Sequence, residues 1–257
     1  MDTAVTDVVQ RGVTVGCKSR SVPKCHQHVP ELVVGFDTET TGLSVTSDRA
    51  ISYGFSAYRY GVAIWSEQYF VIPDRPISEG ARRVHGLSVE DLWAMRSVAP
   101  VYGPEAGVAR CVQLLGHVAR QGGVVIGANV VRFDLEMLRR SARSLLNLSL
   151  EAPPLDLTVL KVIDVVEHDL AIEPSREERP RRGLSQLCQH YGVKPGGHDA
   201  LGDARAAVEV FVAQVAHNNA GQSSFHFAVD QRSPAPIADI PASHVSESNL
   251  SEERKDL

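Results

Sequence analysis

Hydrophobic positions divide this chain into a patterned middle and two polar ends. Residues 31–217 alternate between short apolar runs and segments with helical spacing. Residues 1–30 show no sustained periodicity and predict a flexible N-terminal leader. Residues 218–257 are rich in Ser, Pro, Asn and charge, a composition that buries too little apolar surface to fold. We therefore expect one folded domain at 31–217, followed by a disordered tail.

Five apolar or β-rich runs predict strands in the patterned region. They are Leu32–Phe36, Ile51–Tyr60, Val62–Ile72, Val124–Gly127 and Leu155–Leu160. Short, continuous apolar runs are typical of buried central strands. The second and third runs are separated by Gly61, which favours a hairpin. The fifth run is a candidate for one further strand.

Helical spacing recurs between and after these runs. The predicted helices are Leu87–Met95, Pro104–Arg120, Phe133–Leu146, Leu184–Tyr191 and Ala200–Val215. Ser88 and Asp91, three residues apart, form a sequence similar to a capping box at the start of the first helix. Strands first, and then helices that alternate with strands, predict an α/β domain around a mixed sheet.

Composition narrows the class of protein. The 257 residues are 43% hydrophobic with a formal net charge of -5, which fits a globular core and excludes a strongly basic nucleic-acid coat protein. No stretch approaches the roughly 20 apolar residues of a membrane span, and no signal peptide is evident. Four cysteines without paired spacing favour a reducing, cytoplasmic setting with no membrane partner.

A group of Cys and His residues near the N-terminus raises the question of zinc. Cys17, Cys25, His26 and His28 have the spacing C-x7-C-H-x-H. This spacing matches no common zinc pattern and has no second half elsewhere in the chain. We interpret the group as part of the polar leader and leave its role open.

The segment VVGFDTETTGL places Asp37 and Glu39 at the end of the first predicted strand. Residues i and i+2 of a strand face the same side, so the two carboxylates should converge. Close carboxylates repel one another unless a cation lies between them. An isolated D-x-E is more simply a capping Asp with a solvated Glu, so this motif alone does not establish a metal site.

Two later segments add further polar groups. Asn129 lies in a polar turn after a buried strand, and Asp134 follows in the first turn of a helix. His198 lies in a glycine-flanked stretch, with Asp203 five residues later in the next helix. Taken singly, such an Asp often only complements the helix dipole, and a lone His before a helix is usually a surface or capping residue.

In this order and at these separations, the segments resemble the DEDDh (DnaQ-like) 3′–5′ exonuclease family, which includes the proofreading epsilon subunits of bacterial DNA polymerases. The first motif is Asp37-Thr38-Glu39, the second runs from Asn129 to Asp134, and the third from His198 to Asp203. Val84–Ser88 is similar to the family's H-G-[IL]-[ST] segment. The likeness spans about residues 32–212. One departure is that three residues, not two, separate Asn129 from Phe133.

The resemblance implies a ribonuclease H-like fold, with a mixed β-sheet flanked by helices. It further implies that four carboxylates hold two Mg²⁺ or Mn²⁺ ions, for which oxygen ligands are suited. These are Asp37, Glu39, Asp134 and Asp203. His198 would be the general base that takes a proton from the attacking water, since imidazole exchanges protons near neutral pH. The product would be a nucleoside 5′-monophosphate.

Substrate contacts are expected in the turn after the first motif. Gly42 permits close backbone approach, Leu43 could insert beside the terminal base, and Thr40 lies next to them. The resemblance adds Asn129 and His85 as candidates for substrate binding. For His85, a purely structural place beside a helix is an equal alternative.

The expected function is removal of nucleotides from DNA 3′ ends in replication proofreading or repair, with a DNA polymerase acting in trans. An RNA-trimming 3′–5′ exoribonuclease would share the same fold and metals. A non-catalytic, polymerase-associated binding subunit should have lost a carboxylate or the histidine, whereas this chain retains all five. A nucleotide-binding module would need G-x-x-x-x-G-K-[ST], which is absent from the sequence.

A short segment of the tail suggests one more partner. Gln222–Phe227, QSSFHF, resembles the Q-x-x-hydrophobic-x-F hexapeptide that docks replication proteins on the bacterial sliding clamp. A Gln and two aromatic residues on a polar tail could fill an apolar pocket and become ordered only on binding. The alternative is a tail fragment that packs loosely on the domain.

Overall fold

The computed structural model describes residues 28–152, 155–172 and 182–219. The predicted leader up to residue 27, which includes Cys17, Cys25 and His26, lies outside the described residues. The predicted tail from residue 220 onward, which includes Gln222–Phe227, also lies outside them.

A six-stranded mixed sheet forms the centre of the molecule. Its strands are β1 (Leu32–Thr40), β2 (Ala50–Arg59), β3 (Val62–Val71), β4 (Val101–Tyr102), β5 (Val124–Gly127) and β8 (Lys161–Asp164), in the spatial order β4-β3-β2-β1-β5-β8. β1, β2 and β3 are antiparallel neighbours. β4, β5 and β8 each pair in parallel with their neighbour. The short strands β6 (Glu151–Ala152) and β7 (Leu155–Asp156) form a separate pair.

Helices cover both faces of this sheet. They are α1 (Glu79–His85), α2 (Val89–Ala94), α3 (Pro104–Arg120), α4 (Asp134–Leu146), α5 (Val165–Ile172), α6 (Leu184–Tyr191) and α7 (Ala200–Asn218). One apolar cluster joins the sheet to α3 and α4, and a second joins it to α5, α6 and α7. The prediction of an α/β fold with a mixed sheet flanked by helices is therefore confirmed. None of the described helices is long and apolar enough to span a membrane.

α7 lies unusually close to the middle of the sheet. Gly35 of β1 and Gly54 of β2 both face it, and neither position has room for a side chain. A Cβ atom on Gly35 would lie 2.1 Å from the carbonyl oxygen of Ala204. A Cβ atom on Gly54 would lie 2.2 Å from the carbonyl carbon of Ala200. The first turn of α7 is therefore in backbone contact with the strand that carries the first motif.

The first strand is longer than its apolar pattern predicted. We expected it to end at Phe36, but β1 continues to Thr40 because it stays paired with β2 along its whole length. Asp37 and Glu39 consequently lie inside a strand, and their orientation is fixed by the ladder.

The predicted strand Leu155–Leu160 is wrong. Only Leu155–Asp156 is extended, and it pairs with β6 outside the main sheet. The Asp156 carboxylate accepts hydrogen bonds from the N–H and the hydroxyl of Thr158, which turns the chain. Leu155 and Leu160 are both buried. Their burial explains the apolar pattern, although the two residues do not belong to one strand. The last strand of the sheet is β8, which follows that turn.

Two helices were missed for opposite reasons. α1 buries none of its residues, so it has no apolar stripe. α5 continues a nearly unbroken apolar run from β8, so no change of period marks its start. The predicted capping box is confirmed: the Ser88 hydroxyl accepts from the Asp91 N–H, and the Asp91 carboxylate accepts from the Ser88 N–H.

Candidate active site

Three of the predicted carboxylates lie together beneath the start of α7. Asp37 and Glu39 occupy the same face of β1 as Gly35, and Asp203 is in the first turn of α7. One carboxylate oxygen from each of Asp37, Glu39 and Asp203 lies within 4.8 Å of the others. The strand period brings the first two side chains together, and the close approach of the helix brings the third.

Asp134 approaches the group from the opposite side of β1. It is the first residue of α4, is only 4% exposed, and lies beyond the three-carboxylate cluster. The Thr38 hydroxyl donates a 2.6 Å hydrogen bond to Asp134 Oδ1. Because Thr38 lies between Asp37 and Glu39 in sequence, this bond ties α4 to the strand of the first motif. Among neighbouring charges, Asp134 is the largest contributor to the raised pKa of Asp37.

Burial and mutual repulsion make these carboxyl groups hard to ionise together. Burial, followed by the charges of Asp134 and Asp203, holds the pKa of Asp37 well above its usual range. Burial and Asp203 raise the pKa of Glu39 to about 8. Burial also raises the pKa of Asp134 to about 7, although the Thr38 hydrogen bond opposes this rise. A site with several such groups is suited to a positively charged ligand.

The donor set fits a hard divalent cation. Asp37, Glu39 and Asp203 offer only oxygen atoms, at separations that a single ion can bridge. Mg²⁺ and Mn²⁺ prefer carboxylate ligands, whereas softer metals prefer nitrogen and sulfur. A cation between these groups would also relieve the repulsion that raises their pKa values.

His198 lies on the exposed side of this group. It sits outside any helix or strand, just before Asp199, the N-cap residue of α7. Its backbone has φ 59°, and Gly197 before it has φ 83°, both in the left-handed region. His198 is near enough to Asp203 to oppose the rise in the pKa of that carboxyl, which burial causes.

The turn after β1 is held rigid from within. Thr40 Oγ1 donates to the Gly42 carbonyl at 2.8 Å. Asp48 accepts from the Thr41 hydroxyl at 3.0 Å and from the Ser44 N–H at 2.8 Å. Leu43, in contrast, projects into solvent with 88% of its surface exposed. The structure thus places an apolar side chain on a fixed turn that directly follows the Asp37–Glu39 strand.

His85 links the end of α1 to the end of β1. Its Nδ1 accepts from the Leu87 N–H at 3.0 Å, so Nε2 carries the proton and donates to the Thr40 carbonyl at 3.2 Å. Burial lowers the pKa of this half-buried imidazole. These contacts agree with a purely structural role for His85 beside a helix. They also place its ring beside the turn that carries Leu43.

Asn129 is in the turn between β5 and α4, with φ 57° in the left-handed region. Its N–H donates to Asp164 Oδ1 at 3.0 Å, and the same oxygen accepts from the Val166 N–H at 3.0 Å. Asp164 was not singled out by the motifs, although an Asp directly before a helix is a common capping residue. It fixes the turn through which the chain enters α4 and Asp134.

Sequence reasoning also missed Gln68 and Asp199. Gln68 Nε2 donates to Asp199 Oδ1 at 2.5 Å, and Asp199 contributes to the raised pKa values of Asp37 and Glu39. Asp199 could have been found as the N-cap of the predicted helix. Gln68 had no signal, because its place depends on strand register.

Comparison with known proteins agrees with this geometry. The sequence profile of the exonuclease family (RNase_T) matches residues 34–211 of the chain. The chain belongs to the exonuclease family. The predicted membership of the DEDDh (DnaQ-like) 3′–5′ exonucleases is thereby confirmed, and with it the prediction of an enzyme.

Curated relatives of this exonuclease are named as DNA polymerase III proteins. The DNA polymerase III subunit epsilon of Treponema pallidum is 26% identical over 195 residues, covering 75% of this chain and 80% of the relative. The PolC-type DNA polymerase III of Thermotoga petrophila is 27% identical over 180 residues, covering 70% of this chain but 11% of the relative.

Solved structures of E. coli Exonuclease I share the fold. The complex with a dT13 oligonucleotide has a TM-score of 0.59 at 19% identity, covering 75% of this chain and 42% of that one. The zinc-bound complex with single-stranded DNA has a TM-score of 0.58 at 20% identity, with 75% and 41% covered. This exonuclease thus spans about two fifths of the Exonuclease I chain. The likeness confirms the predicted ribonuclease H-like architecture.

Proposed function

We propose that this exonuclease removes nucleoside 5′-monophosphates from the 3′ ends of DNA by metal-dependent hydrolysis. The observation that carries the proposal is the convergence of Asp37, Glu39 and Asp203 within 4.8 Å, with pKa values raised by burial and repulsion. Such a group is costly to the fold unless a cation binds to it.

Asp37, Glu39 and Asp203, together with Asp134, would hold two Mg²⁺ or Mn²⁺ ions. When bound, such ions supply positive charge to the phosphate, help to activate water and stabilise the departing 3′-oxygen. The protein fixes the directions of the carboxylates beforehand. The β1 ladder sets Asp37 and Glu39, the packing of α7 on Gly35 sets Asp203, and the Thr38 hydroxyl sets Asp134.

His198 acts as the general base in this scheme. It is exposed to solvent, from which water and substrate arrive, and it lies near Asp203. A proton taken from the attacking water would pass to its imidazole ring, the side chain best suited to proton transfer near neutral pH.

The terminal nucleotide would lie against the turn of Thr40, Gly42 and Leu43. The exposed Leu43 side chain would insert beside the last base, while the internal bonds of the turn keep it in place. His85 supports this turn through the Thr40 carbonyl. Asn129, exposed in its turn, is the proposed contact on the side of Asp134.

DNA is favoured over RNA because one curated relative is a DNA polymerase III subunit and several of the similar solved structures are complexes with single-stranded DNA. The same relative favours a role in replication proofreading or repair with a polymerase in trans, which would be in the cytoplasm. Binding to a sliding clamp is proposed from the resemblance of Gln222–Phe227 to a clamp-docking hexapeptide alone. RNA trimming, and binding to a polymerase without catalysis, are the alternatives.

A gel assay tests this function and chooses between the substrates. Single-stranded DNA and matched RNA, each labelled at the 5′ end, are incubated with the protein and Mg²⁺ or Mn²⁺. We expect a ladder that shortens from the 3′ end of DNA, and Asp37→Ala should reduce the rate by more than about 100-fold.

Glu105→Ala is the matched control, because it removes an exposed carboxylate from the first turn of α3. It should retain the wild-type rate. Preferential shortening of RNA would favour the exoribonuclease. No shortening of either substrate by the wild type would favour a non-catalytic subunit.

A further inference from the structure

A row of residues runs across three strands beneath the first turn of α7. Asp37 of β1 is paired with Gly54 of β2, and Gly54 is paired with Gln68 of β3. Directly paired residues of antiparallel strands face the same side of a sheet. Gln68 is therefore on the same face as Asp37, two strands away, although no motif includes it.

The start of α7 contacts this row of residues in the middle and at both ends of the row. In the middle, Gly54 leaves room for the backbone of Ala200. At one end Asp37 meets Asp203. At the other end Gln68 Nε2 donates to Asp199 Oδ1 at 2.5 Å.

Both carboxylate oxygens of Asp199 are engaged. While Oδ1 accepts from Gln68, Oδ2 accepts from the Gly202 N–H at 3.0 Å and caps the helix. Gln68 is itself oriented by a 3.3 Å contact from Nε2 to the Ser52 hydroxyl of β2. The residue that follows His198 is thus fixed to the sheet and to the helix at once.

We propose that Gln68 and Asp199 form a positioning pair that holds His198 in place for proton transfer. The proposal rests on the proposed function, in which His198 is the general base. His198 has φ 59° and follows Gly197 with φ 83°, so no regular secondary structure sets its backbone. A residue in this region stays there only when its surroundings determine it. Two neighbours contribute to this: the anchored Asp199, and the Asp203 carboxylate, to which the His198 backbone is hydrogen-bonded.

Asp203 does not depend on the pair in the same way. It lies inside α7, where the helix packs against Gly35 of β1 through Ala204. Loss of the pair should therefore displace His198 more than the metal-binding carboxylates. The expected signature is a lower kcat, with KM and the metal concentration for half-maximal activity unchanged.

Exchanging the amide and the carboxylate of the pair in two steps tests its role. Gln68→Glu places two carboxylates face to face, and repulsion should displace Asp199 and His198. We expect kcat on 5′-labelled DNA to fall at least about 10-fold, since small displacements of reacting groups have effects of this size. Adding Asp199→Asn to Gln68→Glu restores an amide–carboxylate pair with the ends exchanged. Because Asn caps helices about as well as Asp, kcat should return to within about threefold of wild type.

Gln121→Glu is the control for the change of charge, because Gln121 is exposed at the C-terminal end of α3. It should leave kcat unchanged. Recovery of the melting temperature without recovery of kcat in the double variant would show that the pair supports only the fold. Wild-type kcat in Gln68→Glu would also overturn the proposal.

The same measurements in a His198→Ala background separate this proposal from the proposed function. If the pair acts through His198, Gln68→Glu should cause little further loss there. An equal loss in both backgrounds overturns the positioning role and leaves His198 as the base. If His198→Ala itself keeps the wild-type kcat, the assignment of the base fails, and the positioning role fails with it.

Discussion

Leu43 is a large apolar side chain that the fold keeps in solvent beside the carboxylate group. It is 88% exposed on a turn that is held by hydrogen bonds to Asp48. A single exposed apolar side chain is common on protein surfaces, but binding residues are often carried on loops that a rigid scaffold holds in place. In this exonuclease, the position fits a contact with the terminal base of the substrate.

Leu43→Ala should raise KM for DNA about fivefold and leave kcat nearly unchanged, because it removes roughly 1 kcal/mol of apolar contact with the bound end. Steady-state kinetics on a short single strand measure both constants. Val159→Ala is the control. Val159 is 70% exposed and lies just before the first residue of β8, at the opposite end of that strand from Asp164. Equal effects of the two substitutions would refute a specific role for Leu43.

The sequence predicted the positions of those side chains whose direction is determined by the local period of a strand or helix. Asp37 and Glu39 share a face because they are two apart in a strand. Asp134 is the first residue of α4 and Asp203 lies in the first turn of α7, and both helices were predicted to within one residue of their starts. It missed Gln68, whose hydrogen bond to Asp199 forms only because β3 pairs with β2 in one register. No pattern within β3 could reveal a partner 131 residues away.

The packing of helix α7 on strand β1 brings the carboxylates of the site together. The missing side chain at Gly35 lets the helix backbone descend onto the strand, so that Asp203 reaches Asp37 and Glu39. Sequence predicted the helix and the strand separately. The distance between them could not be predicted, because it depends on the face of the sheet to which Gly35 belongs and on which helix packs against that face.

Gly35→Ala should therefore damage both stability and catalysis. Its Cβ would lie 2.1 Å from the Ala204 carbonyl oxygen, so the helix must shift. We expect a loss of about 1–3 kcal/mol in the free energy of unfolding and a fall in kcat of at least about 10-fold, because Asp203 moves. Urea denaturation and the gel assay measure the two effects.

The matched control is Gly80→Ala. Gly80 lies in α1, and the nearest atom to its added Cβ would be Ser78 Oγ at 4.0 Å. Alanine favours helices over glycine, so this variant should be at least as stable as wild type. Wild-type activity in Gly35→Ala would show that the close approach of α7 is not needed for the site.

The buried carboxylates make the stability of the entire domain depend on pH, and we expect it to depend on bound cations as well. The pKa of Glu39 is raised from 4.5 to about 8 and that of Asp134 from 3.8 to about 7. Groups with raised pKa values favour the folded state when protonated, and this contribution is lost as the pH rises through the folded-state pKa. The metal-free protein should therefore become less stable between pH 5.5 and 8.

Thermal melting in EDTA measures this effect, and the slope should be smaller in Asp37→Asn, which removes one of the repelling charges. Excess Mn²⁺ should raise the melting temperature by more than about 2 °C at pH 8 and by less at pH 5.5, because cations bind the deprotonated carboxylates. Identical pH slopes in wild type and Asp37→Asn would contradict the link.

We expect Asp37, Glu39 and Asp203, together with Asp134, to bind the divalent cations that the exonuclease uses. Isothermal titration calorimetry with Mn²⁺ at pH 8, in the presence of DNA with a 3′-terminal phosphorothioate, measures this binding. Wild type and Glu105→Gln should bind Mn²⁺ with release of protons, and Asp37→Asn should lose at least about 10-fold in affinity. Equal binding by wild type and Asp37→Asn would show that Asp37 does not hold the cations.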